Sequence, residues 1–176
     1  GALVTAVDLS AARAERLTRN LARLGLCAEV VVADLLDWTP PAPFPAILLD
    51  APCTATGTLR RHPDAAFAKD ERDVAALAAL QARLLERAVR WLEPGGVLVY
   101  STCSLEPEEG EAQVERLLAA GAPVERVPVV PAEIGGLAEA ITPAGDLRTL
   151  PCHLPAAEPR LGGLDGFFAT RLRRRS

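Results

Sequence analysis

Three short apolar runs in this chain each stop on an aspartate: Leu3-Val4-Thr5-Ala6-Val7 before Asp8, Val30-Val31-Val32-Ala33 before Asp34, and Ala46-Ile47-Leu48-Leu49 before Asp50. Runs this short and this rich in aliphatic side chains predict buried strands. A fourth, Val97-Leu98-Val99-Tyr100-Ser101, leads directly into Thr102-Cys103. Between the runs lie segments of helical period. Ser10 is placed to cap a helix that carries Leu17, Leu21 and Leu24 on one face and stops at Gly25. From Asp70 to Leu92 the apolar positions Val74, Leu77, Leu80, Leu84, Leu85, Val89 and Leu92 recur at helix spacing, and Pro94-Gly95-Gly96 ends the run. The stretch from Pro40 to Pro45 predicts a loop, Glu108 to Ala120 another helix, and Val127–Val130 and Phe167–Leu172 the closing strands.

Strands alternating with helices predict an α/β fold, a doubly wound and mostly parallel sheet covered on both faces. No repeat or linker divides the chain, so residues 1–176 are expected to form one domain. Apolar residues make up 49 % of the sequence, which argues against disorder. No apolar run reaches the roughly 20 residues that cross a bilayer and no signal peptide opens the chain, so a cytoplasmic protein without a membrane partner is expected. The chain contains no methionine and opens at Gly1 directly on an apolar run, which predicts a natural protein that starts further upstream.

The formal charge of -4 gives no global sign of nucleic-acid binding. Two local clusters could supply it, Arg60-Arg61-His62 and Arg171 with Arg173-Arg174-Arg175, or could be solvated surface. The four cysteines form no CxxC pair, so neither a zinc site nor a disulfide framework is expected, and no metal is assigned.

In sheets of this class, ligands bind beyond the carboxyl ends of the strands. Asp8, Asp34, Asp50 and the Ser101-Thr102-Cys103 run all fall at that edge. An acid at the end of an early strand accepts hydrogen bonds from ribose hydroxyls, a role that suits Asp8, and Asp34 one strand on can reach an adenine edge. The pair fits an adenosine-containing cofactor without telling NAD from S-adenosylmethionine. The cysteines break the tie. Asp50-Ala51-Pro52-Cys53 leaves the third strand and Thr102-Cys103 the fourth, and a right-handed crossover would make these strands neighbours. Both thiols would then meet in one cleft beside the Asp50 carboxyl. That set suits covalent catalysis on a pyrimidine: a thiolate adds to carbon 6 of cytosine, carbon 5 becomes nucleophilic, and a carboxylic acid stabilises charge at ring nitrogen 3.

The stretch from Asp50-Ala51-Pro52-Cys53 through Arg60-Arg61-His62-Pro63-Asp64, followed by Tyr100-Ser101-Thr102-Cys103 through Glu109, closely resembles the Nop/Sun family of RNA cytosine-5 methyltransferases. Ala6-Val7-Asp8-Leu9-Ser10, Ala33-Asp34 and Asp165-Gly166-Phe167-Phe168 extend the resemblance over nearly the whole chain. It implies a Rossmann-like fold, S-adenosylmethionine as cofactor, and an RNA substrate, 16S ribosomal RNA in the bacterial branch. It further implies that Cys103 attacks carbon 6, that Cys53 assists product release, and that Asp50 contacts both the cytosine and the cofactor region. Asp8 would hold the ribose, Asp34 the adenine, and Arg13 would lie near the cofactor. Arg60 and Arg61 would face RNA phosphates. The Gly-rich cofactor loop and the N-terminal RNA-binding module of the family are not among these residues, and Gly110 stands where many relatives carry Asn. Three other readings compete: a DNA cytosine-5 methyltransferase with Cys53 as nucleophile, a catalytically inactive remnant that only binds RNA, and an NAD-dependent dehydrogenase that would have no use for two cleft thiols.

Overall fold

The computed structural model describes residues 2–64 and 71–176. It divides into two compact units, one ending at Pro41 and the other beginning at Ala42, with the boundary inside the proline-rich stretch.

The first unit is a single strand–helix–strand motif. β1 (Thr5–Asp8) and β2 (Glu29–Val32) pair in parallel, with Asp8 opposite Val32. α1 (Ala11–Leu24) joins them. The expected caps are both present: the Ser10 side chain accepts from the Arg13 backbone N–H, and Gly25 closes the helix in the left-handed region at φ 66°.

The second unit repeats the motif and then departs from it. β3 (Phe44–Asp50) and β4 (Leu92–Thr102) pair in parallel, with Asp50 opposite Ser101, and α2 (Glu71–Trp91) connects them. The expected start of this helix at Asp70 lies outside the described residues. β4 begins earlier than its apolar run because Leu92 already pairs with Phe44, and the Pro94-Gly95-Gly96 turn is absorbed as an irregularity before Val97 pairs with Ala46. The helix expected from Glu108 is interrupted. A 3-10 turn at Pro107–Glu109 precedes α3 (Glu111–Ala119), and Gly110 between them sits at φ -121° and ψ -104°, outside helical geometry.

The chain closes with antiparallel strands. β7 (Phe167–Arg174) lies between β4 and β5 (Val124–Arg126) and also pairs with β6 (Leu147–Thr149). The strand expected over Val127–Val130 therefore lies three residues earlier. Pro128 has no N–H to donate to a ladder, so pairing ends once Val127 has bonded to the Arg171 carbonyl at 2.8 Å.

The core of this unit sits where α2 and α3 cover β4 and β7. Leu85, Leu92, Leu98, Tyr100, Val114, Phe168 and Leu172 are all buried, and Tyr100 meets Phe168 edge to face with ring centroids 6.3 Å apart. Each such large apolar side chain stabilises the fold by roughly 1.5–3 kcal/mol. The ends of β3 and β4 are thereby held rigid at the edge where the chain turns into the two cysteine loops.

Candidate active site

Parallel pairing of β3 with β4 brings the two cysteines together. Cys53 follows Asp50 by three residues and Cys103 follows directly after β4, and their sulfurs lie 3.5 Å apart, each half-buried. The Asp50 carboxylate accepts from Ser101 Oγ at 3.3 Å on the same edge. The hydrogen bond from Cys53 stabilises a Cys103 thiolate and brings its pKa down from 9.0 to about 7, against opposition from burial and from the negative charges of Asp50 and Glu109. The same contact, together with burial, pushes the Cys53 thiol well up. One sulfur is thus disposed to ionise and the other to stay protonated as its donor.

Backbone contacts hold the two loops in place. The Gly57 N–H donates to the Cys103 carbonyl at 3.0 Å, and the Gly166 N–H donates to the Gly57 carbonyl at 2.8 Å. Ala55, at φ 60°, takes the left-handed conformation that bends the loop back toward Cys103.

Arg61, expected to face phosphate, is held by Asp165. Its Nε donates to Oδ2 at 2.6 Å, a second guanidinium nitrogen pairs with the same oxygen, and the side chain stays 63 % exposed. The carboxylate raises the Arg61 pKa, and the Cys103 charge adds to that effect, so this cation lies within electrostatic reach of the reactive sulfur. Arg60 is exposed and its guanidinium lies against Gly163. The C-terminal arginines divide differently. Arg171 is engaged by Glu133 and by the Pro128 carbonyl, Arg174 by the Arg90 and Leu92 carbonyls, and Arg175 by those of Ala122 and Val124. These three finish the ends of neighbouring elements, and Arg173 is left exposed.

In the first unit, Asp8 and Asp34 reach one edge, at and just beyond the ends of the paired strands β1 and β2. Asp8 Oδ1 accepts from the Ser10 N–H at 2.7 Å and from Arg13 Nε at 3.0 Å, and Oδ2 from Arg13 Nε at 2.9 Å. The guanidinium holds the Asp8 carboxyl below its usual range. Asp34 Oδ1 accepts from the Leu36 N–H at 2.8 Å. A carboxylate oxygen accepts more than one donor, so Asp8 Oδ2 and the second oxygen of Asp34 can take a ribose hydroxyl and an exocyclic amine. These acceptors fit the hydroxyl and amine donors at the adenosine end of S-adenosylmethionine. Arg13 is bound to Asp8 itself, which makes it a brace for that carboxylate.

Several residues that shape the site carry no motif of their own. Glu109 is fully buried, with its carboxylate on the Thr54 N–H (3.0 and 3.1 Å), the Thr54 hydroxyl and Gln81 Nε2 (3.0 Å). One signal was available in the sequence: Gln81 falls on the apolar stripe of α2, four residues after Leu77 and four before Leu85, where a polar side chain needs a buried partner. Among the described residues, no cluster of three or more His, Cys, Asp or Glu side chains could hold a metal ion, and no helix is long and apolar enough to cross a membrane.

A family model described as 16S rRNA methyltransferase RsmB/F matches residues 1–173. Among curated relatives, the chain is 42 % identical over 172 residues to ribosomal RNA small subunit methyltransferase B of Pseudomonas syringae pv. tomato, covering 96 % of this chain and 36 % of the relative. It is 41 % identical over 177 residues to the protein of the same name from Klebsiella pneumoniae subsp. pneumoniae, covering 99 % and 37 %. The chain therefore spans little more than a third of these relatives. Among solved structures, a methyltransferase homologue from Pyrococcus horikoshii superposes with a TM-score of 0.73 at 31 % identity, covering 98 % of this chain and 53 % of that one. NSun6 from the same organism, solved with SFG, superposes with a TM-score of 0.76 at 26 % identity, covering 99 % and 42 %. The expected Rossmann-like methyltransferase fold is the fold of this chain.

Proposed function

Because the chain belongs to the 16S rRNA methyltransferase RsmB/F family, we propose that it is the catalytic part of an enzyme that methylates carbon 5 of a cytosine in RNA, with 16S ribosomal RNA as substrate and S-adenosylmethionine as cofactor. The observation that carries this is the 3.5 Å approach of the Cys53 and Cys103 sulfurs beside Asp50. The relative solved with SFG, an S-adenosylmethionine analogue, supports the choice of cofactor, as do the free lone pairs of Asp8 and Asp34.

The Cys103 thiolate adds to carbon 6 of the cytosine and forms a sulfur–carbon bond. The electron pair of the 5,6 double bond moves to carbon 5, and the carboxylic acid form of Asp50 donates a hydrogen bond to ring nitrogen 3, where negative charge spreads. S-adenosylmethionine, when bound, supplies an electrophilic methyl group to carbon 5. A base then takes the carbon-5 proton, the 5,6 double bond re-forms, and the sulfur–carbon bond breaks toward Cys103. The Cys53 thiol, already the hydrogen-bond donor to that sulfur, stabilises the charge that returns to it. The cytosine reaches the site by leaving its stack, because carbon 6 is shielded within a helix. Arg61, with Arg60 beside it in sequence, meets backbone phosphates near the extruded base, a role supported by the exposure of both side chains.

Trapping on RNA tests the assignment in the full-length protein with S-adenosylmethionine and a 5-fluorocytosine substrate. The Cys103→Ala variant is expected to form no covalent adduct, and Cys53→Ala to accumulate one. The reverse result would give the nucleophile to Cys53, the arrangement of a DNA cytosine-5 methyltransferase, although the upward shift of the Cys53 thiol speaks against it. Failure of the unmodified full-length protein to bind S-adenosylmethionine in calorimetry would leave only an RNA-binding remnant.

A further inference from the structure

We propose that Glu109 is a positioning residue for the methyl transfer assigned above: its buried carboxylate and its own backbone carbonyl hold the Cys53 loop and the Cys103 loop in register. The proposal rests on that functional assignment for its purpose, and on the following contacts for its substance.

The carboxylate reaches the first loop. It accepts from the backbone N–H of Thr54, the residue after Cys53, with both oxygens, and from the Thr54 hydroxyl. Gln81 Nε2 donates to Glu109 Oε1 at 3.0 Å and to the carbonyl of Pro52, the residue before Cys53, at 2.8 Å. Both neighbours of Cys53 are thus tied to one buried pair of side chains. The backbone carbonyl of Glu109 reaches the second loop. It accepts from Tyr100 Oη at 2.7 Å and from Oγ1 of Thr102, the residue before Cys103, at 3.3 Å. A single residue therefore touches both strand ends that deliver a sulfur.

Glu109, Gln81, Tyr100 and Thr102 are fully buried and Thr54 is nearly so. Burying a carboxylate is costly unless hydrogen bonds satisfy it, and these donors are neutral. A wholly apolar plug would fill the same space at lower cost, but it could not orient the Thr54 N–H or the Pro52 carbonyl. The cost has a return in geometry, because the reactive sulfurs sit one residue away from each tethered group. The 3.5 Å separation is short enough for Cys53 to donate to Cys103, and a shift of about 1 Å would break that bond.

Glu109→Gln keeps the shape and replaces one acceptor oxygen with a donor that faces the Thr54 N–H and hydroxyl. The alkylation rate of Cys103 with iodoacetamide, followed across pH by peptide mass spectrometry, separates two effects of opposite sign. Loss of the Glu109 charge alone lowers the Cys103 titration midpoint, since that charge opposes ionisation. Loss of register removes the Cys53 hydrogen bond and raises it. The expected result is a midpoint raised by about one unit, roughly fivefold slower alkylation at pH 7. A midpoint that is unchanged or lower in the folded variant would overturn the proposal. If circular dichroism finds Glu109→Gln unfolded, Thr54→Val decides. It removes the hydroxyl that donates to Glu109 and lies 3.4 Å from Ser104 Oγ while leaving the Thr54 N–H bonds to Glu109 in place; an upward shift supports the anchor, and an unmoved or lower midpoint overturns it. The readout needs neither RNA nor cofactor, so it stays separate from the trapping experiment. An adduct that survives Cys103→Ala would refute the assigned function and leave the anchor standing.

Discussion

Gly57 and Gly166 lie back to back beneath the reactive pair: the Gly166 N–H donates to the Gly57 carbonyl, and a Cβ on Gly57 would sit 1.9 Å from the Gly166 carbonyl oxygen and 2.8 Å from that of Cys103. Both clashes are with backbone, which cannot swing aside as a flexible side chain can. Gly57→Ala is therefore expected to cost about 2 kcal/mol or more, read from the denaturant midpoint, and to shift the Cys103 titration as well. A variant as stable as the parent would mean that the loops are not stitched in this way.

Cys103 is expected to react with iodoacetamide with a midpoint near pH 7, while Cys53 stays largely unreactive. Removing the donor in Cys53→Ala should move the midpoint up toward 9.0. The sign carries over to stability. A thiol whose pKa is lower folded than unfolded adds stability that is fully present above pH 9.0 and is lost as pH falls through about 7. Urea midpoints measured across that window should rise with pH in the parent chain and flatten in Cys103→Ala.

Asp8→Asn should weaken S-adenosylmethionine binding by the full-length protein at least about tenfold, measured by calorimetry, because a charge-assisted bond to a ribose hydroxyl becomes a neutral one. Arg13→Ala should have a smaller effect, since Arg13 braces Asp8 from the side. Equal losses in the two variants would give Arg13 a direct role at the cofactor.

Arg61→Ala should leave the thermal midpoint nearly unchanged, because its guanidinium is largely exposed and such ion pairs contribute little. RNA affinity should nevertheless fall, and the slope of log affinity against log salt should flatten by about one phosphate contact. Asp165→Asn frees the same guanidinium and should not flatten the slope.

Gly110 leaves room for Arg148. A Cβ there would meet Arg148 Nη2 at 2.4 Å and the Phe168 ring at 3.1 Å. Arg148 lies over that ring at 4.9 Å, pairs with Glu111 and donates to the Ser104 carbonyl one residue beyond Cys103. Gly110→Ala should lower stability by about 1–2 kcal/mol and should be partly rescued by Arg148→Ala, a coupling that a double-mutant cycle measures in denaturant.

The strand ends and helix caps were readable from the chain because they depend on local rules. Asp8, Asp34 and Asp50 terminate apolar runs, Ser10 and Gly25 bracket a helix, and two strand–helix–strand units imply parallel pairing, which in turn predicts the meeting of Cys53 and Cys103. The antiparallel course of β7 was not readable, because nothing in Phe167–Arg174 states its direction relative to a strand more than 60 residues earlier. Glu109 was hidden for a different reason. It stands in the acidic run Glu106-Pro107-Glu108-Glu109, which by charge alone suits a solvated turn, and only the tertiary arrangement turns one of those carboxylates inward. Arg171, Arg174 and Arg175 mislead in the opposite sense: a basic tail by composition, they spend their donors on carbonyls and on Glu133.

The stitch from Gly166 to Gly57 has a temporal side. Both β7 and the Gly166 contact come from residues made well after Cys103, yet they buttress a sulfur carried some 60 positions earlier. Contacts so distant along the chain close slowly, after the neighbouring helices have formed. A nascent chain that ends before Gly166 would hold both thiols without the lattice that arms one of them, so chemical competence arrives only once these later residues have been made and paired.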